Sequence, residues 1–314
     1  MQDVRLTNLD EPLFPDAGAT KRHLVDYLTA VSGPLLRELA DRPLSVIRVL
    51  RGQEPFMQKN LPKYTPDWLP RTTVWAERSH REISYGLCND LPALLWFANQ
   101  RSVEYHPTLW RVGQPDRPTY LVIDLDPPEG AGFAPVVTAA ELVRAALAEL
   151  GLAGAVKTSG SKGAHIYLPI TGATAEQAAA AGRALAARAE RLDPAAVTTA
   201  FIRDDRGGKV FLDSTRAGGA TVAAVYSPRL RPGLPVSFPV GWDELRSVTP
   251  ADFTVHTAAG LLAGGDPWAA SLPAPQPLPA GLVDEGRQIP VARVQAMHEG
   301  KRRARARRAE TDGR

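Results

Sequence analysis

The chain has 314 residues, 44% of them hydrophobic, so it can bury a sizeable core as one large domain or two modest ones. No apolar run approaches the roughly 20 residues needed to cross a bilayer, and the first residues lack the hydrophobic segment of a signal peptide. A single cysteine, Cys88, excludes an internal disulfide and a multi-cysteine zinc site. We therefore expect a cytoplasmic protein.

The formal net charge of +3 is unevenly distributed. Residues 301–314 hold seven Lys or Arg and two acidic residues, whereas the rest of the chain has 30 basic and 32 acidic residues. The body is therefore not basic overall, and nucleic-acid binding would need local basic clusters. The tail is either an additional electrostatic arm or a solvated, disordered end.

Hydrophobic periodicity, cap residues and turn residues predict alternating helices and strands along the chain. Thr20 is the predicted N-cap of a helix that runs toward Leu39, and Gly151 closes a later helix at its C′ position. Further helices are predicted over residues 91–100, 134–150 and 175–192, and strands over 43–50, 72–75, 103–106, 119–126, 156–170 (two strands around a Gly-rich turn), near 200, and over 210–213 and 220–226.

The stretch from Gly264 to Gly281 is rich in Pro, Ala and Gly, which is typical of a segment that wraps or links. The basic residues at the end of the chain are expected to be partly helical or disordered. We divide the chain into one domain, 1–265, and an extension with a basic tail, 266–314.

Two carboxylates end the strand predicted over 119–126. Four apolar or aromatic residues lead into Asp124, a fifth, Leu125, separates it from Asp126, and a Pro pair follows. Alternate side chains of a strand share a face, so these carboxylates lie together and repel each other unless a cation or a proton lies between them. Mg²⁺ or Mn²⁺ would meet that need because hard cations take oxygen ligands. For a D-x-D pair taken alone, two aspartates that simply face water are the commoner case.

A third carboxylate, Asp213, ends the apolar strand predicted over 210–213. Three aspartates on neighbouring strands could hold two metal ions about 4 Å apart, which activates an attacking hydroxyl and stabilises a leaving phosphate. The alternative is that Asp213 caps the turn before Ser214 and Thr215.

The turn Ser159-Gly160-Ser161-Lys162-Gly163 offers hydroxyls, backbone amides and an ammonium, all suited to a triphosphate. It is not a Walker loop, and a simple Gly/Ser hairpin turn explains it almost equally well. His165 follows on the next strand, where a lone histidine is usually structural but can contact a phosphate bound at the turn.

Arg229 and Arg231 lie between prolines in a stiff loop. Preordered guanidinium groups suit phosphate binding, although a solvated basic turn is a common alternative.

Together these residues resemble the polymerase domain of bacterial DNA ligase D, a branch of the archaeo-eukaryotic primase superfamily. The resemblance extends over most of the chain, from residue 6, just before the N-L-D triplet at residues 8–10, to residue 245. It depends on the order and spacing of four motifs: Asp124-Leu125-Asp126-Pro127, Ser159-Gly160-Ser161-Lys162-Gly163-Ala164-His165, Val210-Phe211-Leu212-Asp213 and Tyr226-Ser227-Pro228-Arg229.

The resemblance implies an α/β (α+β) primase-polymerase fold, with an RRM-like antiparallel catalytic sheet flanked by helices. It also implies template-dependent nucleotidyl transfer that fills gaps or extends ends in double-strand break repair by non-homologous end joining, near the nucleoid. By position, two Mn²⁺ or Mg²⁺ ions would bind Asp124, Asp126 and Asp213. A nucleoside triphosphate, in this family typically a ribonucleotide, would contact Ser159, Lys162, His165, Arg229 and, near the ribose, His106. DNA with a 5′-phosphate would contact Asn8, Lys21, Phe56 and Lys59, with Phe56 stacked on template bases.

Three positions depart from the family pattern. Glu11 follows the N-L-D triplet where a basic residue is common, which would weaken recognition of a 5′-phosphate. Met57 replaces the second aromatic of the template platform and stacks less well on a base. Arg216 stands where a glutamine is common, so the surroundings of the metal site would differ.

Two other functions would use some of the same residues. A non-catalytic DNA end-bridging module would keep the basic and aromatic contacts but would not need three aspartates. A metal-dependent phosphohydrolase would use the carboxylates but not the triphosphate turn. The polymerase interpretation accounts for more residues than either, with Ku and a DNA ligase as expected partners.

Overall fold

The computed structural model describes residues 4–76, 80–218 and 221–291. Within them the helices are α1 (Lys21–Ala30), α2 (Ser32–Leu39), α3 (Leu91–Asn99), α4 (Ala134–Glu149), α5 (Ala175–Leu192), α6 (Pro267–Ser271) and α7 (Ala280–Gln288). The strands are β1 (Leu44–Arg48), β2 (Phe56–Gln58), β3 (Arg71–Ala76), β4 (Arg81–Gly86), β5 (Ser102–Pro107), β6 (Tyr120–Asp126), β7 (Ala155–Thr158), β8 (Ala164–Thr171), β9 (Val197–Thr198), β10 (Val210–Asp213), β11 (Pro239–Val240) and β12 (Gln276–Pro277).

The first sheet is antiparallel and contains β1 to β5. Strand β1 pairs with β2 and β5, and a single Leu44–Gly86 pair joins it to β4. Every residue of β5 is buried, and its alternation places Glu104 and His106 on one face and Tyr105 on the other. The sheet therefore carries two ionisable side chains into the interior.

The second sheet has the order β11-β7-β8-β6-β10-β9, and β12 pairs with β8. Strand β6 lies between β8 and β10, antiparallel to both, and Asp124 is opposite His165 on one side and Asp213 on the other. Helices α4 and α5 pack together and against these strands through buried, alanine-rich faces. Apart from the parallel pairs β9–β10 and β12–β8, the strands are antiparallel, and the helix-flanked sheets confirm the predicted fold class.

Two predicted elements differ in the structure. The single helix predicted from Thr20 toward Leu39 is two helices, because Pro34 has no amide to donate to Ala30 and its ring clashes with that turn. The strand predicted over 220–226 is wrong: within 221–226, Thr221 makes an isolated bridge to Thr108 and the buried residues that follow form no strand. A buried apolar run satisfies the sequence pattern of a strand whether or not its backbone is regular.

Residues 266–291 pack against the second sheet and its helices. Strand β12 pairs with the end of β8, and α7 packs so closely on α5 that a Cβ on Gly286 would lie 1.8 Å from the Ala180 carbonyl oxygen. The basic tail lies outside the described residues, and the boundary at residue 265 stays a prediction. None of the described helices has the length and apolar character needed to span a membrane.

Candidate active site

The three predicted carboxylates lie on one face of the second sheet, where its inner strands β6 and β10 pair. Asp124 and Asp126 alternate onto one face of β6, and Asp213 is the register partner of Asp124 on β10. The side chains of Asp124 and Asp213 are 19% and 11% exposed, so their negative charges are largely removed from water. Such carboxylates need nearby positive charge.

Cationic side chains supply that charge. Arg216 lies between two carboxylates, with Nη2 3.2 Å from Asp124 Oδ2 and Nε 3.4 Å from Asp213 Oδ2. Asp126 is paired with Arg206 at 3.0 Å and with Lys162 at 3.5 Å. Arg216 stood out in the sequence as a departure from the family pattern, whereas Arg206 was not predicted.

The pKa of Asp124 follows from these neighbours. Burial opposes its ionisation, but His165, Arg216 and Lys157 outweigh that effect and lower the pKa to about 2. Asp213 has a second contact, since its Oδ1 accepts hydrogen bonds from the Thr215 amide at 2.8 Å and hydroxyl at 2.6 Å. The turn-capping alternative for Asp213 is therefore present in the structure, alongside its pairing with Arg216.

The side chains of the three aspartates fit a hard divalent cation because they offer carboxylate oxygens as ligands. Across the described ranges, however, no three His, Cys, Asp or Glu side chains are arranged around one point that could hold a metal ion. The Arg216 guanidinium occupies the space between Asp124 and Asp213, where it compensates both charges. Metal binding by these carboxylates would require Arg216 to give up that position.

The predicted triphosphate turn joins β7 to β8. Ser159 Oγ accepts hydrogen bonds from the amides of Ser161 and Gly163, and the Ser159 amide donates to the Gly163 carbonyl at 2.9 Å. A Cβ on Gly163 would lie 2.0 Å from the Leu125 carbonyl oxygen, so only glycine lets the turn approach β6 this closely. The turn thus places the Lys162 ammonium beside Asp126.

His165 is held from both sides. Its Nε2 lies 3.4 Å from Asp124 Oδ1, and its Nδ1 lies 2.8 Å from the ammonium of Lys157. Lys157 is fully buried and also donates to the Ala223 carbonyl at 3.0 Å and to the Ser237 hydroxyl. Burial first, and then the Lys157 charge, lower the pKa of His165 to about 4. Lys157 was not predicted as a site residue, although a lysine within an apolar strand was a visible signal.

His106 and Arg229 come together through a residue that the sequence analysis missed. The Glu104 carboxylate lies 2.7 Å from His106 Nε2 and 2.9 Å from Arg229 Nε. Arg229 also donates to the Ser159 carbonyl, which ties this group to the turn. Strand alternation would have placed Glu104 on the face of His106, so the signal was available.

The predicted DNA-binding residues lie in the N-terminal part of the chain. Phe56 is 36% exposed on β2, with the Arg48 guanidinium 6.0 Å from its ring centre, and Lys59 is exposed just beyond it. Asn8 is exposed in a loop with a φ of 52°. Lys21, in contrast, is 2% exposed.

The Lys21 ammonium already makes two hydrogen bonds within the protein. It donates to the Thr7 carbonyl at 2.7 Å and to Asn99 Oδ1 at 2.6 Å, and burial lowers its pKa. Contact with a phosphate would therefore require Lys21 to exchange at least one of these partners.

Comparison with known proteins gives a consistent result. Residues 20–268 match the family model described as the primase-polymerase domain of LigD. The chain is 38% identical over 256 residues to the multifunctional non-homologous end joining DNA repair protein LigD of Mycobacterium tuberculosis, covering 78% of this chain and 34% of that protein. It is 34% identical over 260 residues to the bifunctional non-homologous end joining protein LigD of Bacillus subtilis, covering 81% of this chain and 41% of that protein. The chain thus spans about a third of the length of the first of these relatives.

A solved structure agrees over a larger share of the chain. The polymerase domain from Mycobacterium tuberculosis Ligase D in complex with DNA is 36% identical, with a TM-score of 0.79, covering 87% of this chain and 100% of that chain. Identity at this level over most of the fold exceeds what a shared architecture alone requires. The chain belongs to the family of LigD primase-polymerase domains.

Proposed function

We propose that the chain is a template-dependent nucleotidyltransferase that adds nucleotides to the 3′-hydroxyl of DNA at gaps or broken ends. The observation that carries the proposal is that two predicted sites meet on one face of the second sheet. The β7–β8 turn brings Lys162 to 3.5 Å from Asp126, beside Asp124 and Asp213. Nucleotidyl transfer needs this combination, because the carboxylates serve the reacting centre and the cations bind the triphosphate.

Asp124, Asp126 and Asp213 would hold two Mn²⁺ or Mg²⁺ ions, which, when bound, lower the pKa of the primer hydroxyl and stabilise the pyrophosphate leaving group. Other side chains bind and orient the nucleotide. Lys162 and Arg229 neutralise phosphate charge, Ser159 and His165 contact the triphosphate, and His106 contacts the ribose of a preferred ribonucleotide.

The DNA is held through stacking and phosphate contacts. Phe56, exposed at an edge strand, stacks on template bases, which tolerates any sequence since every base has a π-face. Asn8 and Lys21 bind a downstream 5′-phosphate, for which Lys21 exchanges a present hydrogen-bond partner, and Lys59 contacts the DNA. Sequence information comes from base pairing with the template.

The biological setting follows from the relatives, two of which are named non-homologous end joining proteins. We propose that this chain acts in the same repair process, in the cytoplasm near the nucleoid, with Ku and a DNA ligase as partners.

Primer extension on a gapped DNA with a 5′-phosphate, with Mn²⁺ and either ribo- or deoxyribonucleotides, tests the proposal. We expect template-directed addition that Asp124→Ala abolishes and that Asp243→Ala, an exposed acid elsewhere on the surface, leaves unchanged. Absence of extension by the wild-type protein, with DNA binding intact, would contradict the polymerase function.

That outcome would favour a second candidate, a non-catalytic DNA end-bridging module. One observation supports this candidate. Arg206 and Arg216 already compensate the negative charges of the carboxylates, so charge balance at this site does not itself require a metal ion. A bridging module would join two DNA ends in a pull-down with labelled duplexes, and Asp124→Ala would not reduce that capture.

A further inference from the structure

Glu104 joins the first sheet to the loop that carries Arg229 and Leu230, and the proposed polymerase reaction assigns it no role. It lies on β5 of the first sheet, and its side chain is 5% exposed. Three donors surround it: His106 Nε2 and Arg229 Nε contact Oε2 at 2.7 and 2.9 Å, and the Leu230 amide donates to Oε1 at 2.7 Å. A buried carboxylate with this many donors is rigidly placed.

Glu104 is ionised in this environment. Burial opposes the charge, but the donated hydrogen bonds and the Arg229 guanidinium outweigh it and lower the pKa to about 2. An ionised carboxylate can only accept hydrogen bonds. Every group that contacts it must therefore present a hydrogen atom.

This requirement fixes the protonation pattern of His106. Burial lowers its pKa, so the ring is neutral at physiological pH and carries one N–H. Because Nε2 faces the carboxylate, the hydrogen is on Nε2, and Nδ1 is left as a hydrogen-bond acceptor. An acceptor nitrogen can accept a hydrogen bond from a ribose 2′-hydroxyl, whereas a 2′-deoxy sugar has no hydroxyl there to donate one.

The same carboxylate orients Arg229. With Nε on Glu104 and Nη1 on the Ser159 carbonyl, the guanidinium spans from β5 to the triphosphate turn. Loss of the Glu104 charge would therefore disturb both the sugar contact of His106 and the phosphate contact of Arg229. Arg229 is affected although it lies 125 positions from Glu104 in the chain.

We propose that Glu104 is a positioning residue that sets the sugar preference of the nucleotide site, by holding His106 with Nδ1 as the acceptor for a ribose 2′-hydroxyl and holding Arg229 against the triphosphate turn. The inference rests on the proposed nucleotide-binding function. It assigns to one buried carboxylate the coupling between sugar and phosphate recognition.

Glu104→Gln is the sharpest test because the amide keeps the size and loses one acceptor. In either orientation of the glutamine amide, its NH₂ group faces another donor. If the amide oxygen faces His106 and Arg229, the NH₂ faces the Leu230 amide; if the amide is flipped, the NH₂ faces His106 and Arg229. We expect kcat/KM for ribonucleotides to fall about 10- to 100-fold, the range for a lost hydrogen bond to a charged group. The ratio of kcat/KM for ribonucleotides to kcat/KM for deoxyribonucleotides should fall at least severalfold. Deoxyribonucleotides lose only the contact with Arg229, whereas ribonucleotides also lose the contact of the 2′-hydroxyl with His106.

The matched control is Glu285→Gln, since the Glu285 carboxylate also pairs with arginine but lies on α7, where its partners are Arg188 and Arg191. It should leave the ratio unchanged. In a His106→Ala background, Glu104→Gln should no longer change the ratio, because Glu104 acts on the sugar through His106. A further fall of the ratio in that background would contradict this route.

A folded Glu104→Gln protein with a wild-type sugar ratio overturns the inference. Should that variant unfold below the assay temperature, Glu104→Asp, which keeps the charge but shortens the side chain, is judged by the same ratio. Equilibrium binding of ATP and dATP by calorimetry gives the ratio without catalysis. A wild-type protein that binds ATP more tightly than dATP but adds neither would therefore refute the polymerase function and still test Glu104.

Discussion

Arg216 separates two of the proposed metal ligands, so replacing it should strengthen metal binding. The change is Arg216→Gln, which removes the guanidinium that lies 3.2 Å from Asp124 and 3.4 Å from Asp213. Without it, these two carboxylates and nearby Asp126 face each other with less positive charge, and an added divalent cation becomes more favourable.

The size of the effect follows from the two ion pairs. The Arg216 side chain is 36% exposed, so each pair is worth about 0.2–1 kcal/mol after screening by solvent. A cation that no longer displaces the guanidinium gains roughly 0.5–2 kcal/mol, which corresponds to an about 2- to 30-fold lower Kd for Mn²⁺. The same substitution should lower the free energy of unfolding in metal-free buffer, because the carboxylates then repel each other.

Titration of Mn²⁺ followed by electron paramagnetic resonance measures the Kd directly, independent of any activity. Arg246→Gln is the matched control, since Arg246 pairs with Glu141 on the surface and should not affect the Kd. If Arg216→Gln binds Mn²⁺ as weakly as the wild-type protein or more weakly, the guanidinium does not compete with the metal and this reasoning is wrong.

Three further predictions concern single residues. The pKa of Glu104 is lowered to about 2, so its stabilisation of the fold is present above the unfolded pKa of about 4.5 and disappears as the pH falls toward 2. The difference in free energy of unfolding by urea between the wild type and Glu104→Gln should therefore shrink over this pH range. A difference that stays constant would contradict this prediction. Gly163→Ala should cost at least about 1–3 kcal/mol in thermal unfolding because its Cβ meets the Leu125 carbonyl, whereas Gly132→Ala, with open space around it, should not. Lys21→Met should reduce the preference for gapped DNA with a 5′-phosphate over a 5′-hydroxyl in a binding titration, and an unchanged preference would remove Lys21 from that site.

Local sequence patterns predicted the elements that carry the site. The apolar run before Asp124 and the Gly-rich turn before His165 each fix a structure from neighbouring residues alone, and both are present as predicted. The stretch over 221–226 shows where such reasoning fails. It is apolar and buried, yet Tyr226 adopts a φ of 65° and the segment forms no strand. Its amides donate to two separate parts of the chain, β5 and Ser237, so no single strand pairs along it.

The partners of the site residues were harder to predict because they are distant in sequence. Arg206 is 80 residues from Asp126, and Arg216 is 92 residues from Asp124. No periodicity connects such pairs, and only the folded sheet brings them together. Glu104 is different, because strand alternation placed it beside His106 and the pattern could have been used.

The charges of the three carboxylates can be balanced in two ways. Repulsion between Asp124 and Asp126 requires nearby positive charge, and from the sequence alone metal ions were expected to supply it. The structure meets the same requirement with Arg206, Arg216 and Lys162. Both solutions satisfy the electrostatics, so the carboxylates alone do not identify the cation. If the site is catalytic, the metal must compete with Arg216 for Asp124, and the Kd of Mn²⁺ should depend on residue 216 even where the three aspartates are unchanged.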